Sequence, residues 1–317
     1  MIGLWRIVDY LCARRCRLMS QNKTTILSNT GLSLADFSEL TKFRLSVTVV
    51  ISSIAGYFLA VDTVHYPTLF LLVLGGYAMV GASNVFNQVF EKDLDKLMER
   101  TKNRPLPTAR IQPNTALFIG VILTLIGIAA LYVINIKTAF FASVSIFLYA
   151  CLYTPLKQKT SLSVFVGAFP GAIPFMLGWV AATNEFGIEP GLLFMLQFFW
   201  QFPHFWAIGW LQFDEYKKAG FNLMPTGEKN KKATRLIILY TIFMLVVSVI
   251  PVFRITGSLY LLPLSAVLIF GLGLVMLWYG VKLHREQTNV MARKLMLASV
   301  LYITAIQIIF VIDKFFH

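Results

Sequence analysis

The chain has 317 residues, of which 57% are hydrophobic and only 14% are charged, and its mean hydropathy is +0.70. Soluble proteins carry about 25% charged residues, so the composition excludes an ordinary soluble enzyme. The formal net charge of +13 would suit a nucleic-acid partner, but the positions of the charges favour a membrane explanation.

Apolar stretches of about 20 residues, long enough to cross roughly 30 Å of hydrocarbon, recur along the whole chain. Backbone groups in lipid must hydrogen-bond internally, and the alternating pattern of a barrel is absent, so we predict that these stretches are helices. The predicted fold class is all-α, a polytopic integral membrane bundle of about nine transmembrane helices. The predicted spans are 45–62, 68–90, 114–134, 137–155, 162–182, 191–212, 233–254, 258–281 and 293–313.

The 28 Lys and Arg residues are distributed unevenly. All but Lys137, Arg254 and Lys314 lie in the N-terminal segment or in the loops after the second, fourth, sixth and eighth spans. The positive-inside rule therefore predicts a cytoplasmic N-terminus and an external C-terminus. The net charge reflects topology and contact with anionic lipids, and we predict no nucleic-acid partner.

Residues 1–37 are interpreted as a basic cytoplasmic leader, either disordered or lying on the membrane surface, and residues 38–317 as the transmembrane domain. Arg6 and Asp9 interrupt the apolar part of the leader and no small-residue cleavage site follows, which disfavours a targeting peptide. Met19 is an alternative start. The short loops and weak presequence favour a bacterial cytoplasmic (inner) membrane over a mitochondrial one.

Polar side chains at the cytoplasmic end of the second span form a stripe. Asn87, Glu91 and Asp95 are four residues apart, so on a helix they share one face and rise about 6 Å per step. Two carboxylates and an amide are hard oxygen ligands, which suit Mg²⁺ bound together with substrate phosphates. The alternative is a solvated helix end whose acids pair with neighbouring cations.

A cationic loop follows the stripe directly. Arg100, Lys102 and Arg104 place three cations in five residues. Arg offers a planar fork to phosphate oxygens and Lys a point charge, so the loop is typical of a diphosphate clamp. Positive-inside topology explains these cations too, but it does not explain the acids beside them.

Further polar residues lie near the same side of the membrane. Asp214 and Glu215, with Lys217 and Lys218, repeat the order of acids followed by cations after the sixth span. His204 lies inside that span, where a histidine is either a hydrogen-bonded core residue or a functional group.

Tyr153 lies near the cytoplasmic end of the fourth span. An aromatic residue there either belongs to the interfacial belt or places an electron-rich ring near an allylic cation. The fifth span contains several helix-perturbing residues, so we predict a kinked helix that packs closely or leaves space for a large flat substrate. These residues are Gly167, Pro170, Gly171, Pro174 and Gly178.

Together these segments resemble the intramembrane aromatic prenyltransferases of the UbiA superfamily. The first motif reads Asn87-x-x-x-Glu91-x-x-x-Asp95 and is followed by Met-Glu-Arg-Thr-Lys-Asn-Arg-Pro. The sequence is most similar to the branch that farnesylates protoheme IX, and the resemblance covers about residues 38–313. The segments that carry this closer match are Leu40-Thr41-Lys42-x-Arg44-Leu45-Ser46, Tyr153-Thr154 with Lys157 and Thr160, Gly171-Ala-x-Pro174 with Gly178-Trp179, Pro203-His204-Phe205-Trp206, and Asp214-x-Tyr216 with Ala219-Gly220 and Met224-Pro225.

The resemblance implies farnesyl transfer from farnesyl diphosphate to a vinyl group of heme B (protoheme IX), with addition of water, to give heme O and diphosphate. Heme B is then a substrate and Mg²⁺ the cofactor. The resemblance also implies contacts with membrane lipids and a lateral opening to them. Heme A synthase and terminal oxidase assembly are the implied protein partners.

The resemblance also assigns roles to individual residues. The implied Mg²⁺ ligands are Asn87, Glu91, Asp95 and Asp214. The residues implied to bind diphosphate oxygens are Arg100, Lys102, Arg104 and Lys157. Tyr153 would face the farnesyl cation, and His204 would contact the porphyrin or its iron.

The sequence departs from the superfamily pattern in three places. Glu91 stands where Asp is usual and keeps the charge with a longer reach, Phe43 replaces a common Pro, and Asp214-Glu215 is a weaker acidic motif. Three other readings remain open at this stage. They are a quinone-type aromatic prenyltransferase of the same superfamily, a membrane transporter, and a structural assembly subunit.

Overall fold

A computed structural model describes residues 33–316. Residues 1–32 of the predicted leader, including Met19, lie outside the described residues. Residues 34–37 of the leader belong to the first described helix. The described residues contain helices and no strand, which confirms the all-α prediction. The helices are α1 (Leu34–Leu40), α2 (Phe43–Ala60), α3 (Tyr66–Asp95), α4 (Pro113–Ile134), α5 (Ile136–Leu156), α6 (Ser163–Thr183), α7 (Ile188–Leu211), α8 (Phe213–Lys218), α9 (Lys231–Val249), α10 (Pro263–Glu286) and α11 (Asn289–Lys314).

Eight helices of the described part are long and apolar enough to cross a membrane, so the prediction of about nine is approximately right. The remaining predicted span, 191–212, corresponds to α7, which has 24 residues. Its amides Gln197 and Gln201 and the imidazole of His204 make it less apolar than the others.

Two boundaries differ from the predicted ones by about five residues. Helix α3 continues to Asp95, beyond the predicted end at 90, because its polar stripe extends the helix past the apolar segment. Helix α10 begins at Pro263 rather than at 258. Proline is favoured at the first helical position because its fixed φ suits the helix and its missing N–H is not needed there.

Helix α6 lies at the centre of the bundle. In its most apolar stretch of 18 residues, 72% is buried, compared with 22% in the corresponding stretch of α4. A Cβ atom on Gly178 would overlap the carbonyl oxygen of Ser53, and one on Gly56 would overlap that of Phe175. These two glycines let the backbones of α2 and α6 touch, as the glycine content of α6 predicted.

Candidate active site

The polar stripe is buried at the C-terminal end of α3. Asn87, Glu91 and Asp95 lie on one face of the helix and are at most 5% exposed. The nearby cation Lys96 instead pairs with exposed Asp93 at 3.1 Å. The alternative of a solvated helix end is therefore wrong for these three residues, because burial removes them from solvent.

Each stripe residue meets a cation from a different segment of the chain. The three segments are the residue before α2, the end of α5 and the loop after α3. Buried charges need such partners because each costs several kcal/mol to desolvate alone. The pairs are Asn87 Oδ1 with Lys42 Nζ at 3.4 Å, Glu91 Oε1 with Lys157 Nζ at 2.9 Å, and Asp95 Oδ2 with Arg104 Nη1 at 2.9 Å.

Lys42 was not predicted as a site residue. It precedes α2 with a left-handed φ of 49°, and this turn directs its side chain to Asn87. Burial, together with the nearby charges of Arg104 and Lys157, lowers the pKa of its ammonium to about 7. The only sequence signal for Lys42 was its place in the Leu40–Ser46 segment.

Lys157 is buried between the stripe and two aromatic rings. Burial alone lowers the pKa of its ammonium, but the Glu91 carboxylate outweighs burial and the pKa is raised. The ammonium lies 4.6 Å from the ring centre of Tyr153 and 5.7 Å from that of Phe221. Lys157 therefore stays protonated at neutral pH.

Tyr153 is positioned by an irregular helix end. Residues Leu148–Tyr153 of α5 form a π-helix, a distortion that is frequent at functional sites. The ring packs against α6 at Gly167, where a Cβ atom would lie 2.7 Å from the ring. Tyr149 packs on the other side with ring centres 5.2 Å apart. Tyr153 thus faces the protein interior beside Lys157.

The donor set of the stripe fits Mg²⁺. Oδ1 of Asp95 is buried and has no hydrogen-bond partner among the described residues, so this carboxylate keeps an open ligand position. No group of three or more His, Cys, Asp or Glu side chains within residues 33–316 is placed to hold a metal by itself. Mg²⁺ commonly binds one or two carboxylates and completes its shell with substrate phosphates and water, which two acids and an amide allow.

The structure does not bring all predicted residues to the stripe. Arg100 and Lys102 are exposed in the loop, and Asp214 is exposed on α8. The carboxylate of the adjacent Glu215 instead accepts a hydrogen bond from the backbone N–H of Glu99 at 2.7 Å. This contact ties the loop after α7 to the loop after α3. The roles predicted for Arg100, Lys102 and Asp214 stay predictions.

A small apolar groove, with a volume of about 40 Å³, lies deeper in the bundle than the stripe, between α2, α3, α5 and α6. Ser83, one helical turn before Asn87, lies on its wall. The other walls include Val50, Met79 and Leu177. The groove therefore borders the same face of α3 as the stripe, about one turn deeper.

The sequence model of the UbiA prenyltransferase family matches residues 49–304. The chain belongs to the UbiA prenyltransferase family. The matched region contains the whole stripe together with Arg104 and Lys157, whereas Lys42 lies just before it.

Two bacterial relatives cover nearly the whole chain. The protoheme IX farnesyltransferase of Christiangramia forsetii is 58% identical over 93% of this chain and 98% of its own length. That of Flavobacterium psychrophilum is 57% identical over 88% of this chain and 94% of its own length.

Solved structures of the family share the fold. A digeranylgeranylglyceryl phosphate synthase has a TM-score of 0.75 at 18% identity and covers 88% of this chain and 98% of its own. A UbiA homologue from Archaeoglobus fulgidus, bound to DMAPP and Mg²⁺, has a TM-score of 0.65 at 14% identity over 87% of this chain and 99% of its own. At these identities the likeness establishes the fold and not the substrate.

Proposed function

We propose that this protein transfers the farnesyl group of farnesyl diphosphate to a vinyl group of protoheme IX and so forms heme O. The observation that supports the reaction class is the buried stripe of Asn87, Glu91 and Asp95 paired with three cations. The farnesyl donor and the heme acceptor follow from the names of relatives that are 57–58% identical over most of the chain.

The stripe would promote the ionisation of farnesyl diphosphate, the farnesyl donor. The C–O bond of farnesyl diphosphate breaks, its electron pair leaves with the diphosphate, and an allylic cation remains. The vinyl π electrons of heme attack this cation, water adds to the resulting benzylic-type carbon, and a proton is released. When bound, Mg²⁺ supplies positive charge that stabilises the departing diphosphate.

The acids and cations of the site exchange partners in this scheme. Without substrate, Lys157 and Arg104 neutralise Glu91 and Asp95. With substrate, Asn87, Glu91 and Asp95 would hold Mg²⁺, and the released ammonium and guanidinium groups would bind diphosphate oxygens. Asp214, Arg100 and Lys102 would join them if the cytoplasmic loops close over the diphosphate.

The farnesyl chain would extend into the apolar groove one turn deeper than the stripe, which would have to widen from its volume of about 40 Å³ to accept it. Its first carbons would lie near Tyr153, whose ring already faces a cation in the form of the Lys157 ammonium at 4.6 Å. An aromatic face stabilises a positive charge, and a buried apolar groove excludes the water that would quench an allylic cation. His204 would contact the acceptor porphyrin.

The location and partners follow from the same proposal. The protein would lie in the bacterial inner membrane with its N-terminus in the cytoplasm, since all but three Lys and Arg residues lie on one side. Heme O would pass to heme A synthase or directly to terminal oxidase assembly.

Activity with purified components tests the proposal. The full-length protein in detergent is incubated with protoheme IX, farnesyl diphosphate and Mg²⁺, and the products are analysed by mass spectrometry. We expect the hydroxyethylfarnesyl derivative of heme and its loss on chelation of Mg²⁺. If the folded protein yields no such product but prenylates an aromatic acid, the acceptor is a quinone precursor and not heme. Substrate-driven ion flux in liposomes without diphosphate release would instead indicate a transporter.

A further inference from the structure

Cations are concentrated at one end of α9, α10 and α11. Residues 226–235, which lead into α9, and residues 282–294, which connect α10 to α11, contain eight Lys or Arg residues and only two acids, Glu228 and Glu286. We call the eight cations the basic cluster. Its members are Lys229, Lys231, Lys232, Arg235, Lys282, Arg285, Arg293 and Lys294.

The two segments of the basic cluster lie side by side. Nδ1 of His284 on α10 lies 2.8 Å from Oγ1 of Thr234 on α9. Nζ of Lys229 lies 3.5 Å from Oδ1 of Asn289 at the start of α11. The three helix ends therefore meet, and their cations face the surroundings together.

The basic cluster lacks internal counterions. None of its cations forms an ion pair with an acid within residues 33–316, whereas six cations of other segments do. Those six are Lys96, Lys102, Arg104, Arg110, Lys157 and Lys218. Like charges that converge without acids repel one another, so the cluster favours an anion from outside the chain.

The cations of α9 and α11 continue apolar stripes on the surface of the bundle. Residues three or four apart on a helix share a face. Lys232 and Arg235 therefore share a face of α9 with exposed apolar residues, and Lys294 shares one with exposed apolar residues of α11. The apolar residues are Leu239, Ile242 and Val246 on α9 and Leu297, Leu301 and Ile308 on α11, which are 41–70% exposed.

Helix α10, which packs between α9 and α11, repeats the arrangement. Lys282 and Arg285 share a face with exposed Val275 and Trp278. Nζ of Lys282 lies 4.3 Å from the ring centre of Trp278. Exposed tryptophans of membrane helices lie at the level of the lipid headgroups, and a lysine reaches that level by extending its apolar stem. The basic cluster is thus placed at the headgroups, with apolar surface beneath it.

We propose that α9, α10 and α11 form a binding site for one phospholipid with an anionic headgroup. The basic cluster would hold the headgroup phosphate, and the apolar stripes would contact the acyl chains. Basic pockets between membrane helices bind anionic headgroups in this way. The bound lipid would relieve the repulsion among the cations and so stabilise the packing of the three helices. The proposal is independent of the diphosphate site, which lies on α3 and α5.

Positive-inside topology does not account for this arrangement by itself. It explains on which side of the membrane cations lie. It does not explain why cations of three adjacent helices converge without acids and stand at the ends of lipid-facing stripes. A separate set of exposed cations provides the control, because Arg44, Lys159 and Lys217 are exposed and form no ion pair within the described residues.

Native mass spectrometry of the full-length protein in detergent tests the proposal. Phosphatidylglycerol and phosphatidylcholine with identical acyl chains are titrated into the wild type and two triple variants. One variant combines Lys232→Gln, Arg235→Gln and Lys294→Gln, and the control combines Arg44→Gln, Lys159→Gln and Lys217→Gln. Both variants remove two Lys and one Arg, and thermal unfolding shows whether each is folded.

We expect the wild type to bind one phosphatidylglycerol in preference to phosphatidylcholine. The first variant should bind it roughly 100-fold more weakly, since each Lys or Arg near an anionic lipid contributes a factor of about five. The control variant should keep the wild-type affinity. Phosphatidylglycerol should raise the melting temperature of the wild type and of the control but not that of the first variant.

Three results would overturn the proposal. An equal loss of phosphatidylglycerol binding in the two variants would mean that the positive surface attracts anionic lipid without a defined site. Equal binding of both lipids by the wild type would exclude an anionic lipid and favour an acidic protein surface as the partner. Displacement of bound phosphatidylglycerol by an equal concentration of inorganic phosphate would show that the acyl chains contribute nothing to binding.

Discussion

The two ends of the bundle use the same residue types for different purposes. At the end of the bundle remote from the stripe, called the outer end below, buried Asp313 accepts a hydrogen bond from the backbone N–H of Leu262 at 3.1 Å, and Lys314 donates to the carbonyl oxygens of Phe58 and Val61. These contacts join helix ends to backbone groups. At the inner end, where the stripe lies, the acids instead face cations of other segments, as Asp95 faces Arg104 and Glu91 faces Lys157.

The difference shows how to separate a structural polar group from a functional one. Both Asp95 and Asp313 are almost fully buried, so burial alone does not distinguish them. A carboxylate that accepts a backbone hydrogen bond at a helix boundary stabilises the fold. Several acids and cations that converge from distant segments cost desolvation energy, which is typical of a binding site.

The largest expected effect is that of Asp95→Asn. Removal of this charge should lower farnesyl transfer at least 100-fold, because both Mg²⁺ binding and stabilisation of the leaving group depend on it. The matched outer variant, Asp313→Asn, should lower the melting temperature but change kcat by less than about twofold. Product formation and thermal unfolding are measured for both. Near-normal product formation by folded Asp95→Asn would remove this residue from the site.

A smaller effect is expected from Lys157→Met. Loss of its ammonium should lower kcat/KM for farnesyl diphosphate about 30-fold, the cost of roughly 2 kcal/mol for a charge-assisted hydrogen bond. Lys314→Met at the outer end should reduce stability and leave kcat/KM nearly unchanged. Initial rates at varied farnesyl diphosphate give both values. Equal losses of kcat/KM in the two variants would mean that Lys157 acts only through the fold.

The smallest of the three effects is that of Gly167→Ala. The new methyl group would press on the Tyr153 ring and shift it from its place beside Lys157. Small displacements in an active site are costly, so we expect a loss of kcat of about tenfold. Gly191→Ala near the outer end has no atom within 4 Å of the new methyl group and serves as the control. If both variants keep full kcat, the position of Tyr153 does not matter for the reaction.

The fold and the stripe could be predicted because the sequence signals for both are local. The lengths of the apolar runs predicted the spans, and the spacing of Asn87, Glu91 and Asp95 predicted that they share one face. Both depend only on helix geometry. The extension of α3 past the apolar segment was missed by five residues because the polar stripe ends the hydropathy signal before the helix ends.

The partners within the site could not be predicted in the same way. Glu91 and Lys157 are 66 residues apart, and His204 and Ser299, whose side chains hydrogen-bond at 2.8 Å, are 95 apart. Which residues meet over such separations depends on how helices pack, through contacts such as Gly178 against Ser53. The sequence pattern assigned Arg104 to the diphosphate, and the family resemblance assigned Lys157 to it. Neither predicted that the two cations neutralise the stripe residues.

Binding of inorganic diphosphate tests the central claim, that the stripe and its cations form one Mg²⁺-dependent diphosphate site. Isothermal titration is performed on the full-length protein in detergent, with and without Mg²⁺, for the wild type, Asp95→Asn and Asp313→Asn. We predict binding that requires Mg²⁺, is lost in Asp95→Asn and is retained in Asp313→Asn. Diphosphate binding of equal strength without Mg²⁺, or unchanged binding by folded Asp95→Asn, would contradict the account.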